Sequence, residues 1–212
     1  MFEDIFFSQL EKYKLIDKNG KEIGHIGDLL IDTKTKRIKK LIVFGSFLEE
    51  KLESAGVKED VDELVPLEVI EKVENRKITL SKNIDELETT TKDWKVPEGM
   101  IQFSKLRKVK VFDKENSEIG NIIDFAQHEG EKFTVIIGGG FLEEFLEKLR
   151  IFADKDLIVP SQRIESWEDE KIVLKAKKID LQSTVNTDLS PSDMIKNGKM
   201  GFASPGFQGR WK

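Results

Sequence analysis

Four aspartates stand at matching places in two related stretches of this sequence, and they are its first candidates for chemistry. Asp17 and Asp28 in the first stretch return as Asp113 and Asp124 in the second. Because paired carboxylates can act as a general acid and a general base, a hydrolytic enzyme that uses Asp28 or Asp124 is one hypothesis. Recurrence in both stretches favours turn geometry or backbone capping instead, since a turn aspartate bonds its own neighbouring amides. We therefore predict a protein without a catalytic residue.

Other groups that could do chemistry are few. The chain has no cysteine, which excludes disulfides, thiolate nucleophiles and thiolate metal sites. Its two histidines, His25 and His128, do not occupy matching positions, and we expect both at the surface. Residues 138–140 are three glycines before a predicted helix, where an anion could bind, but a tight strand-to-helix turn is the favoured interpretation. We predict no metal and no cofactor.

The elements that must position these residues are themselves duplicated. Residues 5–28 and 101–124 are identical at 13 of 24 positions when they are aligned at a spacing of 96. A second match, at a spacing of 94, joins 45–80 to 139–174. Two copies of roughly 80 residues, each large enough for one modest core, predict two domains.

These matches set the predicted organisation of the chain. We place the first domain at 1–82, a linker at 83–100, the second domain at 101–180 and a tail at 181–212. The linker holds three consecutive threonines and a Pro-Glu-Gly sequence, so we expect it to be irregular and to lie on the surface.

Each copy is typical of short strands separated by turns. In the first copy, a tight turn at 17–20 leads into a strand that contains Gly24, and a glycine inside a strand often marks a bulge or a sharp bend. Further strands are predicted at 38–44, 64–70 and 77–80. The pattern predicts a mainly β protein made of two tandem small β-barrels. One short helix is predicted inside each copy, at 47–53 and at 141–149.

The second predicted helix carries an apolar stripe. Phe141, Phe145 and Leu149 fall on one face at helical spacing. The favoured interpretation is that this stripe covers an end of its own barrel. The alternative is a partner-binding surface or the seam of a homodimer.

Charge separates the body of the chain from its tail. Residues 1–88 carry 15 basic and 20 acidic groups, whereas 175–212 carry 7 and 3. An acidic body argues against a broad nucleic-acid surface. The tail also holds aromatic side chains, which predict docking on a protein groove, a ribosomal protein or ribosomal RNA. Its candidate partner-binding residues are Phe202, Phe207, Arg210, Trp211 and Lys212. Folding of the tail back onto the second barrel is the alternative.

The sequence also bears on location. It contains no apolar run near the roughly 20 residues that a membrane-spanning helix needs. Its first residues are acidic and lack the basic start of a signal peptide. We therefore expect a cytoplasmic protein without a membrane span.

The order of these motifs is similar to the PRC-barrel family. An Asp-initiated turn, an Ile-Gly-containing strand and a later Val-Pro pair appear at 17–28 with Val65-Pro66, and again at 113–124 with Val159-Pro160. The resemblance covers about 5–82 and 101–178. One departure is Asn116, which stands at the place that Gly20 takes in the first copy.

The resemblance implies a small β-barrel that serves as an adaptor and carries no catalytic residues. Members of the family occur in the H subunit of photosynthetic reaction centres and in a ribosome maturation factor that binds a small-subunit ribosomal protein. Stand-alone archaeal forms take part in cell division. We therefore expect an archaeal-type, non-enzymatic adaptor that binds proteins, either as a cell-division scaffold or in ribosome maturation or hibernation.

Overall fold

The computed structural model describes residues 5–45, 61–90, 93–128, 133–139, 156–168, 171–177 and 200–203. Within these residues the chain is mainly β and divides into two compact units. The first unit runs from Ser8 to Ser104, and the second begins at Lys105 and also takes in Phe6 and Phe7. A boundary therefore falls within each of the short helices Phe7–Leu10 and Phe103–Leu106, and each helix is grouped with the strands that follow it. The helices predicted at 47–53 and 141–149 lie outside the described residues.

The first unit contains one eight-stranded sheet. Its hydrogen-bonded order is β5-β6-β1-β2-β3-β4-β7, and β8 pairs with β2 away from this path. The β1–β6 pair is parallel, and the other pairs are antiparallel. The elements are α1 (Phe7–Leu10), β1 (Lys14–Ile16), β2 (Glu22–Asp32), β3 (Ile38–Phe44), β4 (Glu63–Pro66), β5 (Ile70–Glu74), β6 (Lys77–Leu80), β7 (Glu88–Thr89) and β8 (Met100–Gln102), with 3-10 turns at Leu67–Val69 and Ile84–Glu86.

The second unit contains a seven-stranded sheet with the corresponding order, β13-β14-β9-β10-β11-β12-β15. Its β9–β14 pair is parallel, like the β1–β6 pair of the first unit. The elements are α2 (Phe103–Leu106), β9 (Lys110–Phe112), β10 (Glu118–Gln127), β11 (Phe133–Gly138), β12 (Asp156–Pro160), β13 (Ile164–Trp167), β14 (Lys171–Leu174) and β15 (Gly201–Ala203), with a 3-10 turn at Ser161–Arg163. The duplicated sequence therefore produces the same order of six strands twice, whereas β7 and β15, which take corresponding places in the two sheets, lie outside the duplicated stretches.

The central strands are buried on both faces. In β2, Leu29, Leu30 and Ile31 follow one another and are each at most 1% exposed, and every residue of β11 is buried. A half-buried strand alternates apolar and polar residues, whereas a strand covered on both sides is a continuous apolar run. The sequence of β3, which ends in Leu-Ile-Val-Phe, fits the second case.

The segment predicted to be an irregular surface linker is partly ordered against the first unit. Strand β7 lies within it and pairs with β4, with Glu63 opposite Thr89. Trp94 and Val96 pack against the buried cluster of Leu30, Ile42 and Leu64. The prediction of a wholly irregular linker is therefore wrong, because the outer face of β2, β3 and β4 is apolar and these side chains cover it.

Replacement of Trp94 by alanine should lower the free energy of unfolding by about 2 kcal/mol, since a half-buried indole contributes part of what a fully buried one would. Lys95→Ala changes the exposed residue next to it and serves as the matched control, with an effect within about 0.5 kcal/mol. Urea unfolding followed by circular dichroism measures both variants. Equal effects would show that the indole does not stabilise the sheet.

Candidate functional site

The first pair of recurring aspartates caps turns, as predicted. The Asp17 Oδ1 atom accepts hydrogen bonds from the backbone N–H of Asn19 at 2.9 Å and of Lys21 at 2.8 Å. In the second unit, Asp113 Oδ1 accepts from two backbone N–H groups in the same way, at 2.9 Å and 2.7 Å. Both carboxylates are buried and satisfy amides that the turn would otherwise leave unpaired.

These turns also explain the departure at Asn116. Gly20 has a φ of +83°, and Asn116, at the matching place, has a φ of +65°. Asparagine is among the few other residues that adopt this left-handed conformation readily. The second copy therefore keeps the turn although it lacks the glycine.

The second pair of aspartates lies inside strands rather than in turns. Asp28 belongs to β2 and Asp124 to β10, and in both cases the pairing with the next strand shifts register just before the aspartate. This shift confirms the bulge that the glycine-containing strand predicted. Of the two structural roles predicted for the recurring aspartates, turn geometry or backbone capping, this pair shows the capping of backbone amides.

Both strand aspartates are buried and bind backbone N–H groups. Asp28 is 4% exposed, and its Oδ1 atom accepts from the N–H of Leu29 at 2.8 Å and of Ser104 at 3.0 Å. Asp124 is fully buried, and its Oδ1 atom accepts from the N–H of Phe125 at 2.8 Å. Hydrogen bonds from backbone N–H groups to a buried carboxylate are charge-assisted, and they are stronger than hydrogen bonds between neutral groups.

The two histidines differ in their surroundings. His25 is exposed, as expected, with its ring edge-on to the Phe44 ring at a centroid distance of 6.1 Å. His128 is only 6% exposed, so the expectation of a surface position was wrong for it. Its Nε2 atom lies 2.7 Å from the hydroxyl oxygen of Thr134 in β11, within hydrogen-bonding distance. The histidine follows the end of a strand that is covered on both faces, which is why it is buried.

Part of the predicted partner-binding tail lies in the second unit. Residues 201–203 form β15 and pair with β12 in antiparallel register, with Phe202 opposite Leu157. Met200, just before this strand, is 7% exposed. This part of the tail therefore follows the alternative interpretation, in which it folds back. The other predicted partner-binding residues lie outside the described residues: Phe207, Arg210, Trp211, Lys212, Phe141, Phe145 and Leu149.

The second unit contains an aromatic cluster that was not predicted from the sequence. The Phe125 and Phe133 rings stack at 5.8 Å, and the Trp167 ring meets Phe133 edge-on at 5.3 Å between centroids. Trp167 is half-buried and lies at the end of β13, which is an edge strand in the sheet order of the described residues. A signal was present, since Trp167 has no aromatic counterpart: the matching residue of the first copy is Val73.

Surface charges recur with the fold. Lys14 binds Glu22 at 3.0 Å, and the matching pair Lys110 and Glu118 is 2.7 Å apart. Because these pairs are well exposed, each contributes about 0–1 kcal/mol to stability. They belong to the repeated scaffold and carry no specific chemistry.

Two carboxyl groups of the first unit, the exposed Glu88 and the half-buried Asp32, have perturbed acidity. The hydrogen bond from the Lys40 ammonium holds the pKa of Glu88 below its ordinary value. The backbone N–H of Thr35, which donates to Asp32, lowers the pKa of that aspartate in the same way. Both causes are local surface contacts, so neither shift indicates a catalytic group.

Among the described residues, no cluster of three or more histidine, cysteine, aspartate or glutamate side chains could hold a metal ion. The same part of the chain has no helix whose length and apolar character would let it cross a membrane.

Comparison with known proteins bears on the first unit. Residues 2–87 match the family model of the PRC-barrel domain. No curated protein matches the chain.

Proposed function

We propose that this chain is a tandem PRC-barrel adaptor, a non-enzymatic, archaeal-type protein of the cytoplasm that binds protein partners. The observation that carries the proposal is the match of residues 2–87 to the PRC-barrel domain. Residues 101–180 form the second such domain in this proposal, and the corresponding strand order of the second sheet supports it. Each sheet is then one small barrel.

The recurring carboxylates support a non-enzymatic role. Asp28 and Asp124, the residues of the hydrolytic alternative, accept hydrogen bonds from backbone amides inside a sheet. A general acid or base must reach a substrate proton, and a carboxylate already bound to backbone N–H groups in a buried strand is poorly placed for that. The enzyme hypothesis therefore receives no support from its own candidate residues.

Partner contacts are proposed for features that occur once rather than twice. Trp167 at the end of β13 is one, since tryptophan is enriched among the residues that dominate binding energies. The tail beyond β15, with Arg210 and Trp211, is another. The stripe of Phe141, Phe145 and Leu149 is the third, either for a partner or for a homodimer.

Two settings follow for such an adaptor. The acidic composition of the two repeats favours a protein scaffold, as in archaeal-type cell division. The basic residues and aromatic rings of the tail favour ribosome association, through a ribosomal protein or ribosomal RNA, because cationic and stacking side chains together bind RNA.

Sedimentation of a cell extract distinguishes these settings. The full chain is compared with a chain that ends at Ala203, which keeps β15 paired with β12 and removes only the residues beyond it. Co-migration of the full chain with a ribosomal subunit, lost in the shortened chain, is the result expected for ribosome association. Migration away from ribosomes in both cases, together with a cross-linked protein partner, is the result expected for a scaffold.

A point variant sharpens this experiment. Trp211→Ala should weaken partner binding roughly tenfold, which corresponds to a modest interface anchor. Its melting temperature should equal that of the unchanged protein, whereas a clear drop would show that Trp211 belongs to the fold. If neither a ribosomal subunit nor a protein partner is captured by the full chain, the adaptor proposal fails.

A further inference from the structure

Strand β8 docks on the first unit although it opens the second copy of the repeat. It pairs antiparallel with the end of β2, with Leu30 opposite Gln102 and Ile31 opposite Ile101. Just before β8, the Gly99 carbonyl accepts hydrogen bonds from the backbone N–H and the hydroxyl of Thr33, at 2.8 Å and 3.0 Å. The docked segment is thus held along its main chain by β2.

The end of this segment is held by side chains. The Phe103 ring is buried, with 1% of the residue exposed, and the next residue, Ser104, donates its backbone N–H to the buried Asp28 carboxylate at 3.0 Å. Main-chain pairing beside a buried aromatic anchor is the way in which extended peptides are recognised by sheets. The end of β2 together with Asp28 therefore forms a receptor for Gly99–Ser104.

The second unit receives the opening segment of the first copy at the corresponding place. Phe6 forms an antiparallel bridge with Ala126, the residue that matches Leu30 in the repeat. The buried Phe6 ring packs against Ala126 and Ile136. Each unit is therefore completed by the segment with which the other copy begins.

We infer that this reciprocal exchange, rather than the covalent connection before Gly99, keeps the two halves of the chain together, and that Asp28 secures the segment at the first unit. Exchange of equivalent segments is a low-cost route to stable association, because each segment makes in the other domain the contacts that it would otherwise make in its own. The inference is independent of any partner, and so of the proposed function.

A cleaved chain tests this inference. A site for a sequence-specific protease is inserted between the exposed residues Pro97 and Glu98, so that Trp94 and Val96 stay with the N-terminal fragment. After complete cleavage, the two fragments are expected to elute together on size exclusion at micromolar concentration and to separate in denaturant. Separate elution without denaturant overturns the inference.

Matched variants of the cleaved chain locate the contact. Asp28→Ala should raise the dissociation rate of the fragments roughly tenfold or more, because one charge-assisted hydrogen bond across the cut is lost. Asp17→Ala also removes a buried carboxylate with two backbone N–H partners, but within a local turn, so it should leave the dissociation rate unchanged. Equal acceleration by both variants overturns the role of Asp28. Should Asp28→Ala fail to fold, Asp28→Asn, which keeps an acceptor, must still release the fragments faster than Asp17→Asn.

Discussion

Gly24→Ala is expected to destabilise the first unit by about 3 kcal/mol or more, because its methyl group would collide with backbone atoms that cannot move aside. A Cβ atom at Gly24 would lie 2.0 Å from the carbonyl oxygen of Phe44 and 3.0 Å from its carbonyl carbon. Gly24 sits in β2 opposite Leu15 of β1, while β3 pairs with the other side of β2. The close approach of β3 leaves no space for a side chain at this position.

Gly20→Ala is the matched control, because it separates backbone conformation from space. Gly20 has a φ of +83°, and nothing lies within 4 Å of a Cβ atom built there. Alanine should therefore lower the free energy of unfolding by only about 1 kcal/mol. This value is the usual penalty for a non-glycine residue in the left-handed conformation, reduced by the lower conformational entropy of the unfolded chain. Urea unfolding monitored by circular dichroism compares the two variants.

The matching glycine of the second copy gives an internal repetition of this experiment. A Cβ atom at Gly120 would lie 2.6 Å from the Gly138 carbonyl oxygen, a closer approach than real Cβ atoms make. Gly120→Ala should therefore destabilise more than Gly20→Ala and less than Gly24→Ala. Equal losses at Gly20 and Gly24 would mean that the Phe44 carbonyl group of β3 does not approach Gly24 closely enough to exclude a methyl group.

Features that depend on neighbouring residues could be predicted from the sequence. The capping turn at Asp17 follows from the chemistry of a short side chain and its own amides. The strand Ile38–Phe44 has the predicted bounds, and the glycine-containing strand carries the predicted bulge. In each case the cause lies within a few residues of its effect.

Features that depend on distant residues could not. Nothing in the local sequence indicates that Met100–Gln102 pairs with the end of β2, some 70 residues earlier in the chain. These residues begin the second copy of the repeat, and the sequence alone would place them with that copy. The same holds for Trp94, whose aromatic character is visible in the sequence but whose burial depends on an apolar sheet face. Such pairings are decided by which surfaces remain uncovered once the strands have assembled.

The candidate site shows the same division. Duplication alone indicated a structural role for Asp28 and Asp124, and both carboxylates accept hydrogen bonds from backbone amides. The copies also differ at Trp167, which stands at the place that Val73 takes in the first copy, but a single aromatic residue forms no recognisable motif. Its edge-on contact with Phe133 depends on the pairing of β13 with β14.

Asp124→Ala is expected to lower the free energy of unfolding by about 3 kcal/mol, because it removes a buried hydrogen-bond acceptor and leaves a buried backbone N–H group unpaired. Asp124 is fully buried, and it binds the N–H of Phe125, whose ring lies in the core of the second unit. Asp124→Asn keeps an oxygen acceptor in place and loses only the charge-assisted part of the interaction, so its cost should be about 1 kcal/mol. Asp93→Ala, at an exposed position, should change stability by less than about 0.5 kcal/mol.

This series also decides between a structural and a catalytic aspartate by the sign of the change. Active-site groups are commonly held at a cost in stability, so neutralising a catalytic carboxylate tends to stabilise the fold. Neutralising a carboxylate that completes a sheet instead destabilises the fold, because its buried amide partners then lose the acceptor that replaced water. Thermal and urea unfolding of the three variants measure this sign directly. A rise in melting temperature for Asp124→Asn and Asp124→Ala would contradict the structural role and return the hydrolytic hypothesis to consideration.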